Sequence, residues 1–273
     1  MVDILKAILF GILEGVTEWL PVSSTGHLIL VDKILKLRVD DGFYELFQVV
    51  IQLGAILAVV LLFFRKLCPF HKGDSPELRW KTWRLWAMVL LAVFPSAVLG
   101  LLLDDWMTVH LRSPLVVAAM LVLYGIAFLL VERRNDLRPP LPVTVHDIDP
   151  KTALFIGCFQ ALSLIPGTSR SGATILGAIL LGVDRANGAE FSFFLAVPTM
   201  FGASALKAVK FAASGVSLTG MEAAILLTGS AVSFLVSLLV IRGLMDYVRR
   251  RSFAVFGWYR IILGMLCFLT FAK

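Results

Sequence analysis

The chain has 273 residues, 59% apolar and 16% charged, with a mean hydropathy of +0.88 and a formal net charge of +6. These values exclude a water-soluble globular domain. The positive charge sits in short segments between apolar runs, which argues for membrane topology and against a nucleic-acid partner.

Taken in order, the chain opens on a broken apolar stretch, residues 2–35, interrupted by Glu14-Gly-Val-Thr-Glu-Trp-Leu-Pro-Val-Ser-Ser-Thr-Gly-His27. A cleavable leader is not expected, because the stretch carries Glu14 and Glu18 and lacks a small-residue cleavage site before Pro21. Apolar runs follow at 46–64, 85–103 and 114–131, each near the roughly 20 residues that cross a bilayer. A second broken stretch, 152–182, contains Pro166-Gly-Thr-Ser-Arg-Ser-Gly-Ala-Thr174 and precedes runs at 188–209, 223–241 and 253–271. None of the runs alternates apolar and polar residues, so the expected fold class is an all-α polytopic membrane protein. Cys68, Cys158 and Cys267 lack metal-ligand or CxxC spacing and read as buried small apolar residues. Trp80, Trp83, Trp86 and Trp106 flank charged loops and read as interfacial anchors.

Lysine and arginine are concentrated in loops 65–84, with six, 132–151, with four, and 242–251, with four. The other loops hold fewer: three in 31–45, one in 104–113 and two in 207–222. The positive-inside rule therefore puts the first set in the cytoplasm. Aligning Gly11 with Gly157 superposes Glu14 on Gln160, Ser23 on Ser169, Thr25 on Ser171, Gly26 on Gly172, Ile29 on Ile175 and Leu30 on Leu176. Each copy continues with three spans, and an odd number turns the second copy upside down. The expectation is one membrane domain, with repeat halves 1–135 and 150–273 and a cytoplasmic linker 136–149. Each half is a re-entrant helical hairpin plus three transmembrane helices, and the polar hairpin tips meet near the midplane.

Glu14 and Glu18 share one face of a helix, where like charges repel and burial in a membrane raises the cost. A divalent cation, a shared proton or an arginine from elsewhere would compensate. Oxygen ligands suit Mg²⁺ or Ca²⁺, with a substrate phosphate completing the shell. The plain alternative is a hairpin near the interface with both carboxylates in water. Ser23, Ser24 and Thr25 follow Pro21 where a helix restarts, a place that favours an anion or simple capping. A serine nucleophile needs a base, and His27 is the nearest in sequence, although hydrogen-bonded packing is its plainer role.

Arg170, between two serines after Pro-Gly, has no lipid-facing explanation, and its planar fork matches phosphate oxygens. Gly167 frees the backbone for close approach, and Ser169, Ser171 and Thr174 supply donors. The alternative is a salt bridge from Arg170 to Glu14 or Glu18, and both can hold, in the empty and the occupied state. Gln48, Gln52 and Gln160 read as interhelical hydrogen-bonding residues.

The pattern Glu14-x-x-x-Glu18 with Pro21-Val-Ser-Ser-Thr-Gly-His27, together with Pro166-Gly-Thr-Ser-Arg-Ser-Gly-Ala-Thr174, resembles the bacterial undecaprenyl-diphosphate phosphatase family, linked to bacitracin resistance. The resemblance covers essentially the whole chain. It implies hydrolysis of the C55 isoprenyl diphosphate to the monophosphate carrier lipid and inorganic phosphate, with recycling of the carrier for cell-wall synthesis. It also implies divalent-metal dependence, a bacterial plasma-membrane location and a site open to the outer face. Carried onto this chain, Glu14 and Glu18 bind metal or activate water, and Ser24 is the candidate nucleophile with His27 as its acid/base partner. Arg170 clamps the phosphates, helped by Ser23, Thr25, Gly167, Ser169, Ser171 and Thr174. A metal-activated water attacking directly remains an alternative to Ser24.

Two rivals are weighed against this reading. Phosphatidic acid phosphatases need a histidine after their Ser-Arg, and none follows Ser169-Arg170 here. A transporter or flippase for the carrier lipid or a small anion fits the inverted repeat, but has no evident need of a Glu pair beside a Ser/His cluster. Oligomeric state is not readable, and a homodimer is left open.

Overall fold

The structure, a computed structural model, describes residues 2–35, 37, 39–71, 73–111, 113–136, 144–213 and 218–271. The segment 137–143 of the expected linker lies outside the described residues. Every described element is helical: α1 (Val2–Thr17), α2 (Ser24–Leu35), α3 (Asp41–Leu62), α4 (Phe64–Leu67), α5 (Pro76–Leu111), α6 (Pro114–Asp136), α7 (Pro150–Leu162), α8 (Arg170–Leu180), α9 (Arg185–Ala213), α10 (Gly220–Val248) and α11 (Ala254–Phe271), with a 3-10 turn at Val145–Asp147. Six helices, α3, α5, α6, α9, α10 and α11, are long and apolar enough to cross a membrane. Their outward leucines, such as Leu101, Leu227, Leu239 and Leu269, are at least 70% exposed, as a lipid-facing surface requires.

Helix ends follow local chemistry. Asp149 accepts from the amides of Lys151 and Thr152, with Pro150 in the first turn, and so starts α7. Thr219 and Glu222 form a reciprocal capping box at α10. Helix α5 begins at Pro76, before the apolar run expected from residue 85. Its first turns are charged and Trp-bearing, so the helix emerges from the apolar layer without ending there.

The shorter helices pack crosswise. Helix α1 lies on α10 and α7 lies on α5, while α3 contacts both α9 and α10, and α6 pairs with α11. In a membrane no hydrophobic effect drives helices together, so close backbone approach does much of the holding. A Cβ at Gly11 would sit 2.5 Å from the Gly229 carbonyl, one at Gly54 2.3 Å from that of Ser230, and one at Gly157 2.2 Å from that of Ala92. Gln160, on α7, donates to Ser96 Oγ at 2.7 Å and to Thr199 Oγ1 at 3.2 Å, each hydroxyl next to a proline inside its helix (Pro95, Pro198).

The ends of α3 and α6 share one face with the starts of α5, α9 and α11. Lys66 pairs with Glu190 at 2.7 Å, Glu132 pairs with Arg185 and accepts from the Phe253 amide at 3.0 Å, and Arg84 donates to the His146 carbonyl. The opposite face joins the starts of α1, α3 and α10 around a cavity of about 560 Å³ lined by Asp3, Asp40, Thr219 and Glu222.

Two expectations need correction. Only Cys267 is buried; Cys68 is half-buried and Cys158 exposed, since an apolar residue in a membrane protein can face lipid as readily as the core. Gln48 and Gln52 make no hydrogen bond among the described residues, because the nearby interhelical contacts of α3 use backbone carbonyls, Val49 accepting from Ser204 and Val50 from Ser230.

Candidate active site at the two turns

Helix α1 stops before Pro21 and α7 before Pro166, and each chain restarts in a new helix on a serine. Ser23 has φ 70° and Ser169 φ 71°, and these are the two non-glycine residues of positive φ among the described residues. Each side chain caps the helix it opens: Ser23 Oγ accepts from the Gly26 amide at 3.3 Å and Ser169 Oγ from the Gly172 amide at 3.2 Å. A left-handed serine costs about 1–3 kcal/mol and persists only where its surroundings over-determine it. The aligned positions of the sequence repeat thus share one strained conformation.

The two turns touch. Arg170 Nη2 lies 3.1 Å from Glu18 Oε1, and both side chains are about nine-tenths buried, at 10% and 8% exposure. Arg170 Nη1 donates to the Ser192 carbonyl at 2.8 Å, and the guanidinium lies 5.7 Å from the centre of the buried Trp19 ring. Ser24 donates to Glu18 Oε2 at 3.3 Å. Ser171 donates to the backbone carbonyls of Glu18, at 3.0 Å, and Leu20, at 3.3 Å. Glu14, one helical turn before Glu18, is fully buried beside the charges of Glu18 and Arg170, and no donor among the described residues reaches either of its carboxylate oxygens.

Other expected residues are occupied differently. His27 Nδ1 lies 2.7 Å from the Ser23 carbonyl, which can only accept, so Nδ1 carries the proton. Its Nε2 lies 2.6 Å from the Tyr259 hydroxyl, and the ring does not address Ser24. Thr174 donates to the Arg170 carbonyl at 2.9 Å and meets Ser192 Oγ at 2.6 Å, so it braces α8. Gly167, at φ 93°, is required where it stands: a Cβ would lie 2.5 Å from the Val117 carbonyl. Thr25 is exposed on the outer side of α2.

Four residues escaped the sequence reading: Trp19, Ser192, Tyr259 and Arg260. Arg260 is fully buried and donates to carbonyls of both turns, to Pro21 at 3.2 Å, Gly167 at 2.8 Å and Thr168 at 2.9 Å. A charge inside the apolar run 253–271 was the signal available for it.

Two short hairpins joined by an arginine–carboxylate pair are compatible with several anion chemistries. The description of bacitracin resistance protein BacA matches residues 7–266 of the chain. The chain belongs to this family. Three relatives, each named undecaprenyl-diphosphatase, agree with it. That of Lactiplantibacillus plantarum is 56% identical over 267 residues, covering 97% of both chains. That of Streptococcus thermophilus is 55% identical, covering 97% of this chain and 92% of its own. That of Enterococcus faecalis is 54% identical, covering 99% and 98%. Within the BacA family, then, the charged turns of this chain sit inside a multi-pass membrane protein.

Proposed function

We propose that the chain hydrolyses undecaprenyl diphosphate to undecaprenyl phosphate and inorganic phosphate, recycling the carrier lipid for cell-wall synthesis and conferring bacitracin resistance. The observation that carries this reading at the level of atoms is the Arg170–Glu18 pair, which joins both sequence motifs beside the unpartnered carboxylate of Glu14. The terminal phosphate competes with Glu18 for the Arg170 fork, as two or three anionic oxygens outbid one carboxylate. Glu18, released from the guanidinium, keeps the Ser24 hydroxyl as its hydrogen-bond donor and is placed to take its proton. Ser24 Oγ attacks the terminal phosphorus while its proton passes to Glu18. The bridging P–O bond breaks, and undecaprenyl phosphate leaves with the electron pair. Water then attacks the phosphoserine, the Ser24 Oγ–P bond breaks, Glu18 returns its proton to the Ser24 oxygen, and inorganic phosphate leaves with the oxygen and hydrogens of the water. His27 supplies and takes protons at the phosphate through Nε2.

Arg170 engages Glu18 but not Glu14, and a diphosphate brings further negative charge. Glu14 and Glu18, two hard-oxygen donors one turn apart with both Glu14 oxygens free, fit Mg²⁺ or Ca²⁺. Such a cation, when bound, neutralises the phosphate oxygens as charge shifts onto the leaving group.

The architecture we infer is an inverted repeat, halves 1–135 and 150–273, with α1–α2 and α7–α8 as re-entrant hairpins. Helices of 16, 12, 13 and 11 residues reach only about 17–24 Å, against roughly 30 Å of hydrocarbon. The crosswise packing of α1 on α10 and α7 on α5, and the shared geometry of Ser23 and Ser169, support this symmetry. The basic loops support a bacterial plasma-membrane protein with the ends of α3 and α6 on the cytoplasmic side. An outward-opening site is supported by exposure: Ser171–Ile179 on α8 is buried throughout, while Thr25 on α2 is exposed and His27 half-exposed.

Release of phosphate from undecaprenyl diphosphate by purified protein in detergent, with and without EDTA, tests the proposal. Metal-dependent release supports it. Absence of release from folded, lipid-binding protein leaves the transporter reading, which the repeat symmetry favours.

A further inference from the structure

Tyr259 lies on α11, outside both motifs. Its hydroxyl is 2.6 Å from His27 Nε2, and the two rings lie side by side, with centroids 5.6 Å apart and planes inclined by 9°. The bond from Nδ1 to the Ser23 carbonyl leaves Nε2 as the one nitrogen of His27 free to gain or lose a proton. A phenol suits that nitrogen in either state, donating to the neutral ring and accepting from the cation. The hydroxyl fixes the direction of Nε2, and the near-parallel tyrosine ring fills the space beside the imidazole. We infer that Tyr259 is a positioning residue of the reaction: it holds His27 in one tautomer and one orientation, so that Nε2 meets the phosphate. At 46% exposure, Tyr259 sits on the accessible rim of the site, where an arriving phosphate can displace its hydroxyl from Nε2.

The surroundings leave this role to Tyr259. Arg260, beside it on α11, is the charge that acts on the imidazole, and its own hydrogens are directed to turn carbonyls. From α6, Leu121 packs at Gly26 and Tyr124 stands against the Arg260 guanidinium. Glu18, past the end of α1, is engaged by Arg170 and Ser24.

The inference rests on the hydrolase reading and is tested within it, by steady-state phosphate release from undecaprenyl diphosphate between pH 5 and 9. Tyr259→Phe keeps the ring and removes one oxygen. The expected result is a fall in kcat of about tenfold to a hundredfold with KM within about twofold, and a displaced limb of the kcat–pH profile. Nitrogen NMR of labelled histidine should report the Nδ1–H form in wild type and a tautomer mixture in the variant. Tyr259→Ala, losing the ring as well, should fall further. An active wild type together with folded Tyr259→Phe of unchanged kcat, pH profile and tautomer overturns the inference alone. A wild type without phosphate release overturns the hydrolase reading beneath it.

Discussion

Replacing Arg170 by Met keeps the length of the side chain and removes its charge. Glu18 is then left with a single hydroxyl partner, Ser24 at 3.3 Å, and with the uncompensated Glu14 one turn away. Breaking a buried pair on one side costs about 3–5 kcal/mol, most of it the penalty of the orphaned charge. Loss of the Ser192 hydrogen bond, 2.8 Å in length, adds about 1 kcal/mol. With Glu18→Gln already present, no carboxylate is orphaned at position 18, and the same Arg170→Met change should cost only about 1–2 kcal/mol. The coupling between the two sites is therefore about 3–4 kcal/mol. Reversible unfolding in mixed micelles, titrated with SDS for wild type, both single variants and the double variant, measures it directly. All three variants should be without phosphatase activity. If Arg170→Met costs as much in the Glu18→Gln background as in wild type, the ion pair is not what joins the turns, and the partner exchange proposed for phosphate binding fails with it.

Glu14→Gln removes a buried charge with no partner, so the variant should resist SDS at least as well as wild type while losing phosphate release and any Mg²⁺-induced rise in melting temperature. A destabilised variant that still responds to Mg²⁺ would contradict the assignment. Gly157→Ala drives a Cβ to 2.2 Å from the Ala92 carbonyl and should cost about 1–3 kcal/mol by parting α5 from α7, read as a lower SDS midpoint; an unchanged midpoint would deny that this contact is tight. Asp149, held below the ordinary aspartate range by the Thr152 hydroxyl and by amides of the first turn, stabilises α7 while ionised. That contribution is fully present above the unfolded value and is lost as the pH falls through the lower folded value, so Asp149→Asn should flatten the decline in melting temperature below about pH 4. An equally steep decline in the variant would assign acid sensitivity elsewhere.

The residues legible in the sequence were those whose cost in an apolar protein is plain. Glu14, Glu18 and Arg170 cannot face lipid, and an arginine meeting a glutamate was among the readings open to them. The Ser23–Ser169 alignment was legible as a repeat, but not its meaning, since nothing in a serine announces φ near 70°. The direction of His27 was hidden for another reason: it is set by Tyr259, 232 residues further along, so the nearby Ser24 was the wrong place to look for its partner. Arg260 was as expensive as Arg170, yet stood without a companion motif in a run that otherwise reads as a simple span. Gln48 and Gln52 were over-read, because spacing on one helix face says nothing of what the facing helix offers.

The crosswise seating of the hairpins bears on how the protein is made. Helix α1 finds its resting place on α10, which leaves the ribosome only after most of the chain has been synthesised. Until Gly220–Val248 is inserted, the first hairpin has no groove to receive Glu14 and Glu18, so it must wait at the membrane surface with its carboxylates hydrated. Closure of the two charged turns is thus a late step of biogenesis, and a ribosome stalled before α10 would display a chain whose earlier spans are in place but whose charged turn is still open to water.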